Sequence, residues 1–564
     1  MNHKILLFVI FASSLSLNSY AEDLSTEITV ERTVEADLPV AASVRSILPA
    51  IPSLPVNTFT LQPTQYNNAS DFQSTAGDVQ APLYSKIAVP DGYRGYVWAG
   101  YLPVYNLGAA AGYRVIDKDE TALGVAARFN GTSYKNKNTR YEGRLSDNTF
   151  GVKADFSHNF GRGLSLLADA SYFAAGLKSP SLSGEDIKQN LNSADINVKV
   201  SRDGKIPYYA SVAYAYFGLG NSVVLENGGS GVATSPALDN RLRVDAGMSM
   251  PFNRVRASSF ELGLSADFLN AKGVEWISPT GYALSSRGFT GMVSASPALR
   301  FVSRQVALKL GVKVDIGINS PVSAFHIAPD VNLTWAPSGV ASVYASLGGG
   351  ERFRTLVEQY NISAFAPSVT ASARSYTPID GRLGIDFRPV KNLTAGIFVG
   401  YATTRRMPML AVVDAKLPMF TQESISGWSV GADASYSLRR LATLRATARL
   451  YPHGKENLGS PDALDRAKFV LNVGAKVCPI EKLTVTAGYK LRTNRQYYVK
   501  MIDAPSIAQN MRAISDLTFG GEYAITKQLS VFLQLENLLN RHSLIIPGIE
   551  QQGLHGLLGA QYRF

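Results

Sequence analysis

The chain has a single cysteine, Cys478, among 564 residues. One thiol excludes internal disulfides and any thiolate metal cluster. Charged residues make up only 18% of the sequence, against 46% hydrophobic. Beyond the N-terminus no stretch reaches the ~18 consecutive apolar residues of a membrane-spanning helix. Amphipathic 3.6-residue periodicity, the usual mark of a soluble helical protein, is almost absent. Motifs for chemistry are missing too: there is no His-Glu-x-x-His, no glycine-rich phosphate loop and no aspartate-rich calcium loop. No cofactor is expected. Beyond the leader only five histidines remain, at 158, 326, 453, 542 and 555. His158 is expected in a turn and His555 on an inward face, neither with a Ser or Asp partner dictated by spacing. Surface or lumen roles suit them better than catalysis, and the chain does not read as an enzyme.

What is present begins with an export signal. Met1 to Lys4 is a short basic region, Ile5 to Leu17 is apolar, and Ser19-Tyr20-Ala21 offers small residues for cleavage. Residues 1–21 are therefore expected to be a signal peptide, and no cysteine stands there to carry a lipid anchor. The net charge of +11 suits an anionic membrane surface or anionic solute better than nucleic acid, which an exported protein seldom meets.

From Tyr93 onward one pattern repeats: period-two alternation over roughly ten residues, as in membrane barrel strands. Leu242, Val244, Ala246, Met248 and Met250 alternate with Arg241, Arg243, Asp245, Gly247 and Ser249. Leu483, Val485, Ala487 and Tyr489 alternate with Thr484, Thr486, Gly488 and Lys490. Connections alternate as well. Ten are tight, near residues 117–120, 159–162, 202–204, 251–254, 303–305, 336–339, 389–392, 438–440, 478–482 and 526–528. Longer polar stretches lie between them, including 176–190, 218–236 and 350–373. Short periplasmic turns facing longer outer loops predict an all-β antiparallel transmembrane barrel of about 22 strands over residues 93–564.

The end of the chain carries a resemblance. Leu533-Gln534-Leu535-Glu536-Asn537-Leu538-Leu539-Asn540 is followed by Pro547-Gly548, Gly553 and a last strand closing in Tyr562-Arg563-Phe564. This resembles the C-terminal signature of TonB-dependent receptors. The resemblance implies a receptor barrel of the outer membrane that takes up a solute, with Tyr562 and Phe564 in the signal read by the outer-membrane assembly machinery. Glu27-Ile28-Thr29-Val30 looks like the family's TonB-contact strand, which would make TonB a partner. The family also carries a globular plug before the barrel. Only about 70 residues separate Glu22 from Tyr93, too few for it. Residues 22–92, with Leu48-Pro49, Ile51-Pro52 and Leu54-Pro55, read instead as extended chain in the periplasm or lumen. That plan is similar to plugless receptor-like barrels of Bacteroidetes-type bacteria.

Two features bear on function. Inward positions Arg445, Arg449, Lys468, Lys476, Lys490 and Arg492 form a basic lumen wall, read as free of inward carboxylates: an anion path, or a dock for an acidic segment such as 31–37. Elsewhere Asp169, Asp245, Glu261, Asp267, Asp433, Asp516 and Glu522 balance Arg241, Arg243, Lys309 and Lys313. Among outer connections, Thr403 to Gln422 is apolar through Met407, Met409, Leu410, Met419 and Phe420, and Gly350 to Ala373 through Phe353, Leu356, Tyr360 and Phe365. Such patches either pack on one another and narrow the mouth, or meet a surface lipoprotein or other outer-membrane partner. Lipid and lipopolysaccharide would surround the barrel. The alternative to uptake is a sealed structural barrel in a larger assembly or secretion complex.

Overall fold

The alternating segments form strands because each offers one apolar and one small or polar face. The computed structural model describes residues 93–564, apart from positions 104, 304, 339 and 391 and segments 139–141, 181–185, 226–231, 254–257, 278–280, 320–324, 363–364, 366–372, 414–416, 439–440, 453–466 and 501–506. The signal peptide, the TonB-box-like Glu27–Val30, the acidic 31–37 stretch, the 22–92 segment and His453 lie outside the described residues.

The first strands are β1 (Gly95–Leu102), β2 (Asn106–Asp117), β3 (Thr121–Asn136), β4 (Gly143–Gly161), β5 (Leu164–Pro180) and β6 (Asp186–Arg202). Next come β7 (Tyr208–Leu225), β8 (Val232–Asn253), β9 (Ser258–Ile277), β10 (Gly281–Val302), β11 (Val306–Ile318), β12 (Phe325–Trp335) and β13 (Ala341–Arg354). A short helix, α1 (Leu356–Ile362), precedes β14 (Ala373–Val390), β15 (Leu393–Val413), β16 (Leu417–Leu438) and β17 (Ala442–Leu450). Then follow β18 (Phe469–Ile480), β19 (Leu483–Thr493), β20 (Arg495–Lys500), β21 (Ile507–Met511), β22 (Ile514–Ala524) and β23 (Leu529–Glu536). The last are β24 (Leu544–Ile546), β25 (Ile549–Glu550) and β26 (His555–Arg563).

Strands β1 to β19 with β22, β23 and β26 make a closed antiparallel ring of 22. Closure is β1 on β26, Ala99 opposite Ala560. The Arg94 and Gly95 amides both donate to the Phe564 carbonyl at 2.8 Å. A methyl on Gly95 would lie 2.6 Å from the Phe564 ring, so glycine there lets the terminal ring lie flat on the seam. Outward positions are apolar and exposed: Leu242, Val244, Leu310, Val312, Ile385, Ile397, Leu558 and Tyr562. This is the lipid-facing surface of an outer-membrane barrel.

All ten tight connections fall at one end, the end of Phe564. The other end differs from the sequence reading. The longer stretches are mostly strand, not loop: β8, β10 and β16 each run 22 residues. A bilayer needs only ~9–11 tilted residues, so paired strands project beyond the membrane as a collar. The apolar 403–422 stretch is the tip of the β15–β16 hairpin, and β20 adds to β15 in parallel there, Ala411 opposite Tyr498. His158 belongs to β4, not to a turn, and its Nδ1 lies 2.7 Å from the Thr121 hydroxyl.

Candidate functional site: the mouth and the lumen wall

The mouth is narrowed from within. Leu356 and Tyr360 stand four residues apart on α1 and so share a face. Both are buried in a cluster with Leu145, Phe173, Leu191, Phe217 and Leu219 of the β4–β7 inner wall. Tyr360 meets Phe173 and Phe217 at ring separations of 6.2 and 5.9 Å. Phe365 and Phe420 complete that core. Burying each such side chain contributes about 1.5–3 kcal/mol, so apolar contact dominates the seating of α1. Polar groups fix its position. The Leu356 amide donates to Asp239 Oδ2 of β8 at 2.7 Å, and the Glu358 amide to Thr355 Oγ1 at 3.4 Å. Burial pushes the Glu358 carboxyl up from its usual range, while Arg352 and Arg241 pull it back.

The last loop folds into the same core. Ile545, Ile546 and Ile549 of the β24–β25 hairpin join the cluster. Asn136 of β3 donates to the Gly548 carbonyl at 2.8 Å and accepts from the Glu550 amide at 3.1 Å. The Arg495 guanidinium, buried at 1% exposure, donates to the carbonyls of Leu544 and Ile545 at 2.6 and 2.9 Å. The C-terminal Asn-Leu-x-Asn motif has a structural task here. Asn537 and Asn540 both adopt positive φ (47° and 49°), a conformation asparagine tolerates. The Asn537 side chain donates to the Arg541 and Gln552 carbonyls at 2.8 and 2.7 Å, holding the base of the inward loop.

Of the predicted apolar residues, Phe353, Leu356, Tyr360 and Phe365 are buried in the chain itself. Met407 and Met409 are also buried and pack with Ile425, and Phe420 joins the mouth core. The side chains of Leu410 and Met419 lie outside the described residues.

Below the mouth the lumen is lined by two unlike walls. On β8–β13 five of the cations pair with a carboxylate. Arg241 binds Asp267 at 2.8 Å, Arg243 binds Asp245 at 2.7 Å, and Lys309 binds Asp330 at 2.8 Å. Arg300 meets Glu261 at 3.4 Å, and Lys313 meets Asp315 at 3.5 Å. Glu351 joins His326 at 2.9 Å and Arg374 at 3.0 Å. On β14–β18, Arg445, Lys468 and Lys476 face inward with no carboxylate within 4.0 Å among the described residues. Among the described residues Arg449 donates to the carbonyls of Ala432 and Ala448 alone, at 3.3 and 3.1 Å.

The basic wall is not free of acids, however. Asp433 sits opposite Thr447, between Arg445 and Arg449 in register, and Asp516 sits opposite Lys490. A period-two reading gives each residue's face but not its cross-strand neighbour, so it placed these carboxylates elsewhere. Lys490 and Arg492 are buried and have partners. The sequence reading also missed Arg382 of β14 and Phe398 of β15, which share this wall. The Arg382 and Arg449 guanidinium carbons lie 4.1 and 4.7 Å from the Phe398 ring centre. Inward alternation beside Gly381–Gly384 and Gly396–Gly400 was the available signal. His555 faces inward, 3.3 Å from Glu536.

No protein-family model matches the chain, and no curated protein sequence does. Solved structures do. The siderophore receptor PirA from Acinetobacter baumannii matches with a TM-score of 0.63 at 12% identity, covering 84% of this chain and 81% of that one. A mutant ferric enterobactin receptor, PfeA, from Pseudomonas aeruginosa gives 0.59 at 11%, covering 84% and 80%. The ferripyoverdine receptor of the Pseudomonas aeruginosa outer membrane gives 0.61 at 12%, covering 84% and 72%. At this identity the likeness is one of fold: the chain has the barrel architecture of outer-membrane siderophore receptors.

Proposed function

We propose that this chain is an outer-membrane uptake barrel of the TonB-dependent receptor type, admitting a solute through a mouth gated by its own inward-folded loops. The observation that carries the reading is the mouth core itself. A ring of 22 strands encloses a lumen wide enough to breach the permeability barrier unless something fills it. Here α1 and the β24–β25 hairpin pack together on the β3–β8 side of the mouth and narrow it. A solute too large for the opening left beside them would pass only once they move. The fold shared with receptors for ferric enterobactin and ferripyoverdine supports uptake over a purely structural role. By the same likeness the solute class to try first is the ferric siderophores. On this reading residues 22–92 take, in sequence order, the place of a receptor's plug, and Glu27–Val30 would engage TonB.

Planar-bilayer conductance of the purified chain, intact and lacking residues 22–51, tests this. Channels that are gated or solute-dependent fit uptake, and channels appearing only after the deletion assign part of the seal to that segment. Silence in both forms favours the other reading, a sealed barrel that serves as a subunit of a larger outer-membrane complex. Iron-limited growth with this chain as sole receptor, compared with its Ile28→Pro variant, tests TonB coupling. Equal growth would remove TonB from the account.

A further inference from the structure

We infer that the wall formed by β14–β18 holds an anion-binding station at mid-lumen, built by Arg382, Phe398 and Arg449, for a solute bearing carboxylate or phosphate groups. This deepens the uptake reading, and rests on it, by naming the charge of what passes.

The first observation is preorganisation. Both guanidiniums lie against the Phe398 ring, which holds them by cation–π attraction without occupying their N–H edges. A guanidinium so held keeps a planar fork of donors that matches carboxylate or phosphate oxygens two at a time. The second is vacancy of the donors. Arg382 makes no side-chain hydrogen bond or ion pair among the described residues, and its Nε is buried without a partner. Among the described residues Arg449 spends Nη1 alone, on two backbone carbonyls.

The third observation is the space around them. Gly431 stands opposite Phe398 and Arg449 in register, and a methyl there would fall 2.9 Å from Arg449 Nη1 and clash with the ring. Gly400 lies opposite Arg382. On the neighbouring strands Gly474 lies opposite Arg445, and a methyl on it would meet nothing within 4 Å. Gly431 therefore gives the ring and the guanidinium room to lie close to the wall, and the wall over Gly474 beside Arg445 is open. Asp386 and Asp433 share the next row toward the periplasm, both opposite Gly396. Neither comes within 4.0 Å of Arg382 or Arg449. Arg445 and Lys476, also without carboxylate partners among the described residues, keep the region net positive.

The test is calorimetric titration of the purified full-length protein in detergent with citrate and, separately, inorganic phosphate. Saturable binding of one or both is expected. Tighter binding of citrate assigns the station to carboxylates, and tighter binding of phosphate to phosphoryl groups. Arg449→Ala and Arg382→Ala should each weaken binding about tenfold or more, the loss expected of a charge-assisted hydrogen bond. Arg449→Lys, which keeps the charge but not the fork, should recover only part of it. The exposed Lys135→Ala should leave binding unchanged. Heat-modifiable gel mobility checks that each variant is folded. No saturable binding to the parent, or equal binding by parent and both folded arginine variants, would overturn the station. Binding without solute flux in the bilayer would keep the station and reject the uptake reading instead.

Discussion

The lumen wall of β8–β13 and that of β14–β18 use the same residue types to opposite ends. On the first, each of Arg241, Arg243, Lys309 and Lys313 has a carboxylate partner on its own or a neighbouring strand. On the second, cross-strand neighbours are small or neutral: Arg449 faces Gly431 and Val470, Arg445 faces Ser435 and Gly474, and Lys476 faces Thr443 and Thr486. Register, not composition, separates them. A paired charge behind a collar of long strands stiffens the wall. An unpaired one stays available to whatever enters the lumen.

The largest effect should come from breaking the paired wall. Asp267→Ala takes the two-oxygen carboxylate partner from the Arg241 guanidinium, which is only 8% exposed. The expected loss is about 3–5 kcal/mol, read as a lower urea midpoint for the folded barrel. Replacing both partners by leucine should recover most of it. Gly431→Ala comes next. Its methyl would collide with the Phe398 ring, so a loss of about 1–3 kcal/mol is expected together with weaker anion binding. Asn136→Ala removes two of the bonds that hold the last loop inward. That should cost about 1–3 kcal/mol and expose the β24–β25 hairpin to protease in intact cells. Arg445→Ala should be the mildest, within about 0.5 kcal/mol of the parent. Its signature would lie in selectivity, a reversal potential moved toward cations in a salt gradient. A large stability loss from Arg445→Ala would erase the distinction between the walls.

The barrel was largely legible in the sequence, and the reason is geometric. Alternation at Leu242–Met250 and Leu483–Tyr489 names a face directly, and each tight connection marks a strand pair. The ten turns gave the ring of 22 strands. The collar was not legible, because a polar strand beyond the membrane, such as Gly176–Pro180 of β5, has the composition of a loop. Nor was the mouth fully so. Leu356, Tyr360 and Phe365 announced packing, but not that the partners would be Phe173 and Phe217, some 140–190 residues earlier, nor that Phe353 would pack with Leu269 and Met292 instead. The C-terminal motif was read as a mark of lineage. Its asparagines turn out to have a local reason, two positive-φ turns at the foot of the inward loop. Arg382 and Phe398 escaped notice because each belongs to an unremarkable strand, and only the pairing of β14 with β15 and β16 with β17 brings them together with Arg449.

The claim on which uptake depends is that α1 must leave its seat, and a disulfide lock tests it most directly. Asp239→Cys with Leu356→Cys, in a Cys478→Ser background, puts one thiol on β8 and one on the first residue of α1, two positions now joined through the Leu356 amide and the Asp239 carboxylate. Bilayer conductance or solute flux is then read in the same preparation before and after reduction. The account predicts a closed barrel when oxidised and restored passage when reduced. Equal passage in both states, with the disulfide verified, would show that α1 is no gate.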